Sequence, residues 1–170
     1  MPNQKPKVVE FYASKTERNK EIMRRFQEEV INKQQYDIEH LRQFVRDDII
    51  DHGIPREGVV DCHAPFQDYT GIYGLQRRFQ MFSSSFTDAE EADAVAIAEG
   101  DVVAMRYVLR GHLNGEFMGM KGNGEYFAMN GLEMIRFDED GKMAEHWGVY
   151  DMLSTLLQLG FQIVPPSKKG

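Results

Sequence analysis

The first third of the chain has the apolar spacing of helices. Residues 14–17 read Ser-Lys-Thr-Glu, a capping box in which the hydroxyl and the Glu side chain satisfy the first free backbone N–H groups. Ile22, Phe26 and Val30 then recur every four residues. This spacing predicts one apolar stripe on a helix that ends near residues 34–36.

Two more helices and a short strand are predicted before residue 88. Asp37 is a suitable N-cap for a short second helix, and residues 47–51 favour a short extended segment. Residues 53–70 have no period, as is typical of an irregular loop. Thr70 then begins a third helix, whose apolar residues are Leu75, Phe79, Phe82 and Phe86.

The period changes from helical to alternating after residue 88. Val95 and Ile97 alternate with alanines, and residues 102–113, 126–137 and 143–150 are three further strand candidates separated by glycine-containing turns. In the first of these three, one face carries Val103, Met105, Tyr107 and Leu109.

A last helix follows the strands. Asp151 is its predicted N-cap, and the helix runs over residues 152–159. Three leucines are expected to face inward: Leu153, Leu156 and Leu157.

Helices segregated from an antiparallel sheet predict an α+β fold. We expect one domain over residues 14–162, with a loosely ordered leader at 1–13 and a tail at 163–170. Both faces of the long strands carry apolar residues. One face is therefore expected to pack on the helices, which leaves the other for a partner subunit.

Composition and charge narrow the functional classes. The net charge of −7 disfavours nucleic acid and anionic membranes as partners, and the pairs Arg24-Arg25 and Arg77-Arg78 are interpreted as solvated helix faces. The single cysteine, Cys62, excludes an internal disulfide. The polar first seven residues lack the apolar segment of a signal peptide, so a cytoplasmic protein is expected. The 11 Phe, 7 Tyr and 10 Met residues suit a packed core or the wall of an apolar ligand pocket.

The last strands carry specific motifs. Residues 137–151, Phe-Asp-Glu-Asp-Gly-Lys-Met-Ala-Glu-His-Trp-Gly-Val-Tyr-Asp, followed by 156–160, Leu-Leu-Gln-Leu-Gly, resemble the closing signature of the SnoaL-like polyketide cyclases, also called ester cyclases. Residues 109–119 and 130–136 are similar to the same pattern. Asp51-His52 and the helix over 74–86 also fall at the family's positions, so that the resemblance covers about residues 17–160.

The resemblance implies a fold and a chemistry. The fold is nuclear-transport-factor-like, a cone-shaped α+β barrel in which a strongly curved antiparallel sheet and helices enclose a pocket. The family members are expected to be homodimers through the sheet. The characterised cyclases close a ring by intramolecular aldol condensation without metal or cofactor, with an Asp two residues after the His of the His-Trp pair as general acid/base. Here that position is Gly148.

Three residues are candidates for catalysis. His146 shares a strand face with Gly148 and Tyr150, so that it is either an acid/base in a pocket or a buried, satisfied histidine. Asp51 and His52 precede the irregular loop, and His52 together with His146 could replace the missing carboxylate.

Further residues are predicted to contact substrate. Glu133 could supply the absent carboxylate, and Asp151 could orient His146 if it is not only a cap. The remaining candidates are Tyr107, His112, Met129, Gly148 and Tyr150. A Cys62-His63 nucleophile and a zinc site at His40, His52 and His63 are weaker alternatives, because neither has a supporting motif or spacing.

Three functions stay open at this point. The first is a cofactor-free cyclase, isomerase or hydrolase for a small apolar carbonyl compound. The second is a non-catalytic binding protein for such a ligand, which Gly148 favours. The third is an interaction module that uses its outer sheet face.

Overall fold

The structure is a computed structural model that describes residues 14–52 and 71–164. The helices are α1 (Lys15–Phe26), α2 (Ile38–Leu41), α3 (Gly71–Ser85) and α4 (Met152–Gln158), and a π-helical segment, Gln27–Ile31, continues α1. The predicted caps are confirmed: Ser14 Oγ accepts the N–H of Glu17 at 3.2 Å, and Asp37 Oδ1 accepts the N–H of His40 at 2.9 Å.

Five strands form one sheet, in the order β1-β5-β4-β3-β2. The strands are β1 (Val45–Asp51), β2 (Glu90–Glu99), β3 (Val102–His112), β4 (Tyr126–Phe137) and β5 (Met143–Tyr150). The predicted antiparallel meander of β2 to β5 is confirmed. The sequence did not show that β1 would add to its edge in parallel with β5, with Asp51 beside His146.

The core lies between one face of this curved sheet and the helices. The predicted inner face of β3 is confirmed, since Val103, Met105, Tyr107 and Leu109 are all buried. Met23, Phe26 and Val30 on the α1 side and Ile72 and Leu75 on α3 cover it. The α+β fold predicted from the sequence is the fold observed.

The prediction for the last helix was wrong in part. Leu153 and Leu157 are 58% and 49% exposed, whereas Thr155 and Leu159 are buried. The helix is only seven residues long. Its packing against β4 buries Thr155 and leaves Leu153 and Leu157 exposed. The Gln158 side chain fixes this orientation through hydrogen bonds to the backbone of Ala128 at 2.8 and 3.1 Å.

The outer face of the sheet is also rich in apolar side chains. Large exposed ones occur on three strands of the meander: Val95, Ile97, Leu132, Met134 and Val149. The apolar side chains of the inner face therefore form the core, whereas those of the outer face are exposed.

Candidate active site

Each strand contributes at least one polar residue to the inner face of the sheet. In the order of the strands, these are Asp51 on β1, His146 on β5, Glu133 on β4, Tyr107 on β3 and Glu91 on β2. The pairings Asp51–His146 and Glu133–Gly148 bring the first three close together. The result is a row of polar groups across an otherwise apolar wall.

Four members of this row, all except Asp51, line a cavity of about 60 Å³. The cavity is smaller than the roughly 300–1,000 Å³ of typical ligand sites. Its apolar walls include Met23, Met105 and Met143, whose unbranched side chains repack readily. Methionine movement is therefore a route by which a larger ligand could enter.

His146 lies between two carboxylates. Its ring is 7% exposed, with Nδ1 3.0 Å from Asp51 Oδ1 and Nε2 3.4 Å from Glu133 Oε2. A ring whose Nδ1–H donates to Asp51 presents Nε2 to Glu133. His146 and Glu133 can then share one proton, which is the arrangement that acid/base catalysis needs.

Arg78 completes the cluster from α3. Its guanidinium pairs with Asp51 Oδ2, and both side chains are mostly buried. Gly71, at the start of α3, makes this possible, because its φ is +64° and an added Cβ would lie 2.7 Å from the carbonyl oxygen of Asp47 on β1. This close approach sets α3 against β1 and places Arg78, two turns later, over Asp51. The interpretation of Arg78 as a solvated residue was wrong.

Two tyrosine hydroxyls meet beside this cluster. Tyr107 and Tyr150 flank Gly131 on the neighbouring strands, and their hydroxyls are close enough to influence each other. Burial raises the pKa of Tyr150 to about 12, and burial also raises the pKa of Tyr107. Both therefore stay protonated at neutral pH and can act as hydrogen-bond donors.

Gly148 lies close against His146 and Tyr150. A Cβ at this position would lie 3.1 Å from His146 Nε2 and 3.0 Å from the hydroxyl of Tyr150. Glu133 is directly opposite Gly148 on β4. The side chain of Glu133 thus reaches the region into which a residue at position 148 would project.

His52 is on the other side of the sheet. Its Nε2 lies 2.8 Å from Glu145 Oε2, and its ring stacks on Trp147 at 4.6 Å. Adjacent strand residues point to opposite faces, so Asp51 points inward and His52 outward. The structure does not bring His52 and His146 together. These contacts place Glu145 and Trp147 on the outer face as well.

Three other predicted residues also lie outside the cavity. Asp151 caps α4 by accepting the N–H of Ser154 at 3.2 Å. His112 is exposed and pairs with Asp88 at 2.6 Å, and Met129 is 3% exposed in the core and does not line the cavity. Tyr107, Glu133 and Tyr150, by contrast, do line it.

The sequence analysis missed Arg78, Glu91 and Gln27, which all line the cavity. Arg78 follows Leu75 by three residues and precedes Phe82 by four, so it falls on the apolar stripe of α3. A charged residue on an apolar stripe was the available signal. Cys62 and His63 lie outside the described residues.

Within residues 14–52 and 71–164, no group of three or more His, Cys, Asp or Glu side chains is arranged to hold a metal ion. In the same ranges no helix is long and apolar enough to cross a membrane.

Solved structures share this fold. IdmH from Streptomyces antibioticus, a candidate polyketide cyclase, is 27% identical with a TM-score of 0.69, covering 84% of this chain and 99% of its own. A SnoaL-like polyketide cyclase from Jannaschia sp. CCS1 is 16% identical with a TM-score of 0.73, over 93% and 100% of the two chains. AclR from Streptomyces galilaeus, a candidate hydroxylase, is 24% identical with a TM-score of 0.67, over 86% and 84%.

No curated protein matches the chain. The sequence profile of the SnoaL-like polyketide cyclases, however, matches residues 21–159, which is most of the chain. The match contains half of α1, the whole sheet and α4, and it agrees with the fold of the neighbours above. The chain belongs to the SnoaL-like polyketide cyclase family.

Proposed function

We propose that this protein is a cofactor-free enzyme that performs acid/base chemistry, ring closure or isomerisation, on a small apolar carbonyl compound. The observation that carries the proposal is the position of Glu133, whose Oε2 lies 3.4 Å from His146 Nε2 opposite Gly148. In this proposal Glu133 supplies from β4 the carboxylate that the family places on β5 at position 148.

The proposed reaction begins at a carbon next to the carbonyl group. Glu133 accepts the proton of that carbon, and the C–H electron pair moves into an enolate. For ring closure, the enolate carbon forms a C–C bond with a second carbonyl carbon of the same molecule. The new alkoxide then takes this proton back, either from Glu133 directly or from His146 after Glu133 has passed the proton to its Nε2, so that the protein returns to its starting state.

Asp51 and Arg78 are positioning residues in this scheme. Asp51 holds the Nδ1 side of His146, and the charge of Arg78 balances that of Asp51. His146 can therefore exchange protons with Glu133 without leaving an uncompensated buried charge at Asp51.

Deuterium exchange at carbon tests the proposal directly. The probe is 2-tetralone in D2O, followed by NMR, because loss of its α-proton signal reports proton removal without ring closure. We expect wild type to accelerate exchange over buffer, and Glu133→Gln to lose about 10²–10⁴-fold of that acceleration. Glu99→Gln, an exposed carboxylate on β2, is the matched control.

A second variant tests whether the two positions are equivalent. Adding Gly148→Asp to Glu133→Gln should restore part of the exchange, because the new carboxylate would face His146. If wild type binds 2-tetralone without accelerating exchange, the protein is the non-catalytic binding protein that Gly148 suggested, and the enzymatic proposal is wrong.

We also infer a homodimer through the outer sheet face. The exposed apolar residues of that face belong to one sheet, and Leu132 lies beside Val149 across β4 and β5. Such patches commonly mark protein interfaces. Sedimentation of wild type and Leu132→Glu tests this: a wild-type dimer that the variant converts to a monomer is expected, and a wild-type monomer contradicts the inference.

A further inference from the structure

Gln27 carries a buried amide that has no hydrogen-bond partner of normal geometry. The residue is 7% exposed in the π-helical segment and lines the cavity. Its Nε2 makes no such hydrogen bond to any residue in 14–52 or 71–164. The amide has two N–H donors, of which the neighbouring Glu91 carboxyl can take one, so a ligand oxygen can satisfy the other.

Glu91 is next to Gln27, and the side chain of Asn32 fixes the backbone of Glu91. Asn32 receives the N–H of Glu91 at 2.8 Å and donates to its carbonyl oxygen at 3.0 Å. The pairing of β2 with β3 places Glu91 opposite Leu109, whose side chain is part of the core. The Glu91 side chain therefore points to the inner face, where it lines the cavity.

The Glu91 carboxyl is in an environment that favours its neutral form. Burial raises its pKa well above the ordinary value, the charge of Glu133 raises it further, and the Gln27 amide acts in the opposite direction. A neutral carboxyl has an O–H group that can donate a hydrogen bond. Gln27 and Glu91 together thus offer two donors at one end of the cavity.

The charges around the cavity select an uncharged ligand. Arg78 is the single Lys or Arg among its described lining residues, and it is paired with Asp51. An anionic ligand would meet the Glu133 carboxyl without a free cation among those residues. A ketone oxygen, in contrast, accepts two hydrogen bonds and brings no charge.

We propose that Gln27 and Glu91 form a subsite that binds the carbonyl oxygen of an uncharged ligand. The inference rests on the proposed function, because it requires this cavity to be the ligand site. It also assigns a role in the reaction. When Glu133 removes the α-proton, the electron pair moves to the carbonyl oxygen, and the Gln27 N–H and Glu91 O–H stabilise the resulting enolate.

The test compares two ligands of the same shape. 2-Tetralone has the carbonyl oxygen, and 2-methylenetetralin replaces it with a CH2 group that accepts no hydrogen bond. Calorimetry measures both affinities for wild type, Gln27→Leu, Glu91→Leu and Glu91→Gln. We expect wild type to prefer the ketone, and each Leu variant to lose about 3- to 10-fold of ketone affinity while keeping that for the hydrocarbon. Glu91→Gln retains a donor and should keep the preference.

A spectroscopic measurement keeps the test independent of variant folding. The infrared carbonyl band of ¹³C-labelled 2-tetralone moves to lower frequency when the oxygen accepts hydrogen bonds. The band should be lowered in the wild-type complex and return toward its value in an apolar solvent in any Leu variant that folds.

The outcomes separate this inference from the proposed function. If both ligands bind wild type equally and the carbonyl band is unshifted, the subsite is wrong while the cavity remains a ligand site. If neither ligand binds, the cavity is not the ligand site, and both proposals are wrong.

Discussion

Replacing Gly131 with alanine tests how the sheet holds its two buried tyrosines. An added Cβ would lie 2.6 Å from Cζ and 2.9 Å from the hydroxyl oxygen of Tyr107. Real Cβ atoms do not approach other atoms this closely, and the Tyr107 ring is 2% exposed and has little room to move. The alanine must therefore displace the ring and hydroxyl of Tyr107.

Two opposing effects set the size of the change. Overpacking of a core costs about 1–3 kcal/mol, and alanine in place of glycine in a strand returns about 0.5–1 kcal/mol of backbone entropy. We expect a net loss of about 1–2 kcal/mol in the free energy of unfolding. For a domain of this size that is a fall of about 2–8 °C in Tm.

A double-mutant cycle with Tyr107→Leu identifies the cause. Leucine removes the ring atoms that the added methyl group would touch, so Gly131→Ala should cost much less in the Tyr107→Leu background. Urea unfolding followed by circular dichroism measures all four free energies. An equal cost of Gly131→Ala in both backgrounds would refute the reasoning, because the strain would then lie in the β4 backbone and not at the ring.

Three further predictions follow from the placement of single side chains. The raised pKa of Glu91 makes the wild-type fold lose stability as pH rises from about 4.5 through the folded pKa. The Tm advantage of Glu91→Gln should therefore grow over that pH range, and a Tm difference that does not change with pH would contradict this. His52→Ala should leave 2-tetralone affinity unchanged, because His52 contacts Glu145 and Trp147 on the outer face. Weaker binding by this variant would indicate that His52 contributes to the ligand site. Asp151→Ala should lower the free energy of unfolding by about 1 kcal/mol, because it removes the α4 cap. Asp151→Asn should lower it little, because asparagine can also cap a helix. Equal losses for the two variants would contradict the capping role.

Local patterns were sufficient to predict most of the elements. The caps at Ser14 and Asp37 and the inner face of β3 depend on neighbours within a few residues, so the sequence contains the information. The parallel pairing of β1 with β5 joins residues about a hundred positions apart. No local pattern encodes that pairing, and it alone decides that Asp51 and not His52 reaches His146.

The face of Glu133 was ambiguous for a related reason. Alternation identifies the buried side of a strand only when the other side is polar. On β4 the outward residues Leu132 and Met134 are also apolar, and they are 53% and 40% exposed. Because both faces of β4 are apolar, the sequence does not show on which face the Glu133 carboxylate lies, and the proposed chemistry depends on that carboxylate.

The two inner carboxyls of this pocket are suited to different roles because their surroundings differ. Glu133 faces His146, a ring that can take up a positive charge and is itself backed by Asp51 and Arg78. Glu91 faces Gln27 and the apolar wall, and the rise in its pKa caused by burial and by the charge of Glu133 favours its protonated form. A base needs the ionised form of a carboxyl and an oxyanion donor needs the neutral one, so this environment suits Glu91 to the role of donor and not of base. Loss of the carboxylate at position 148 is therefore compatible with acid/base chemistry, provided that Glu133 acts as the base and Glu91 does not.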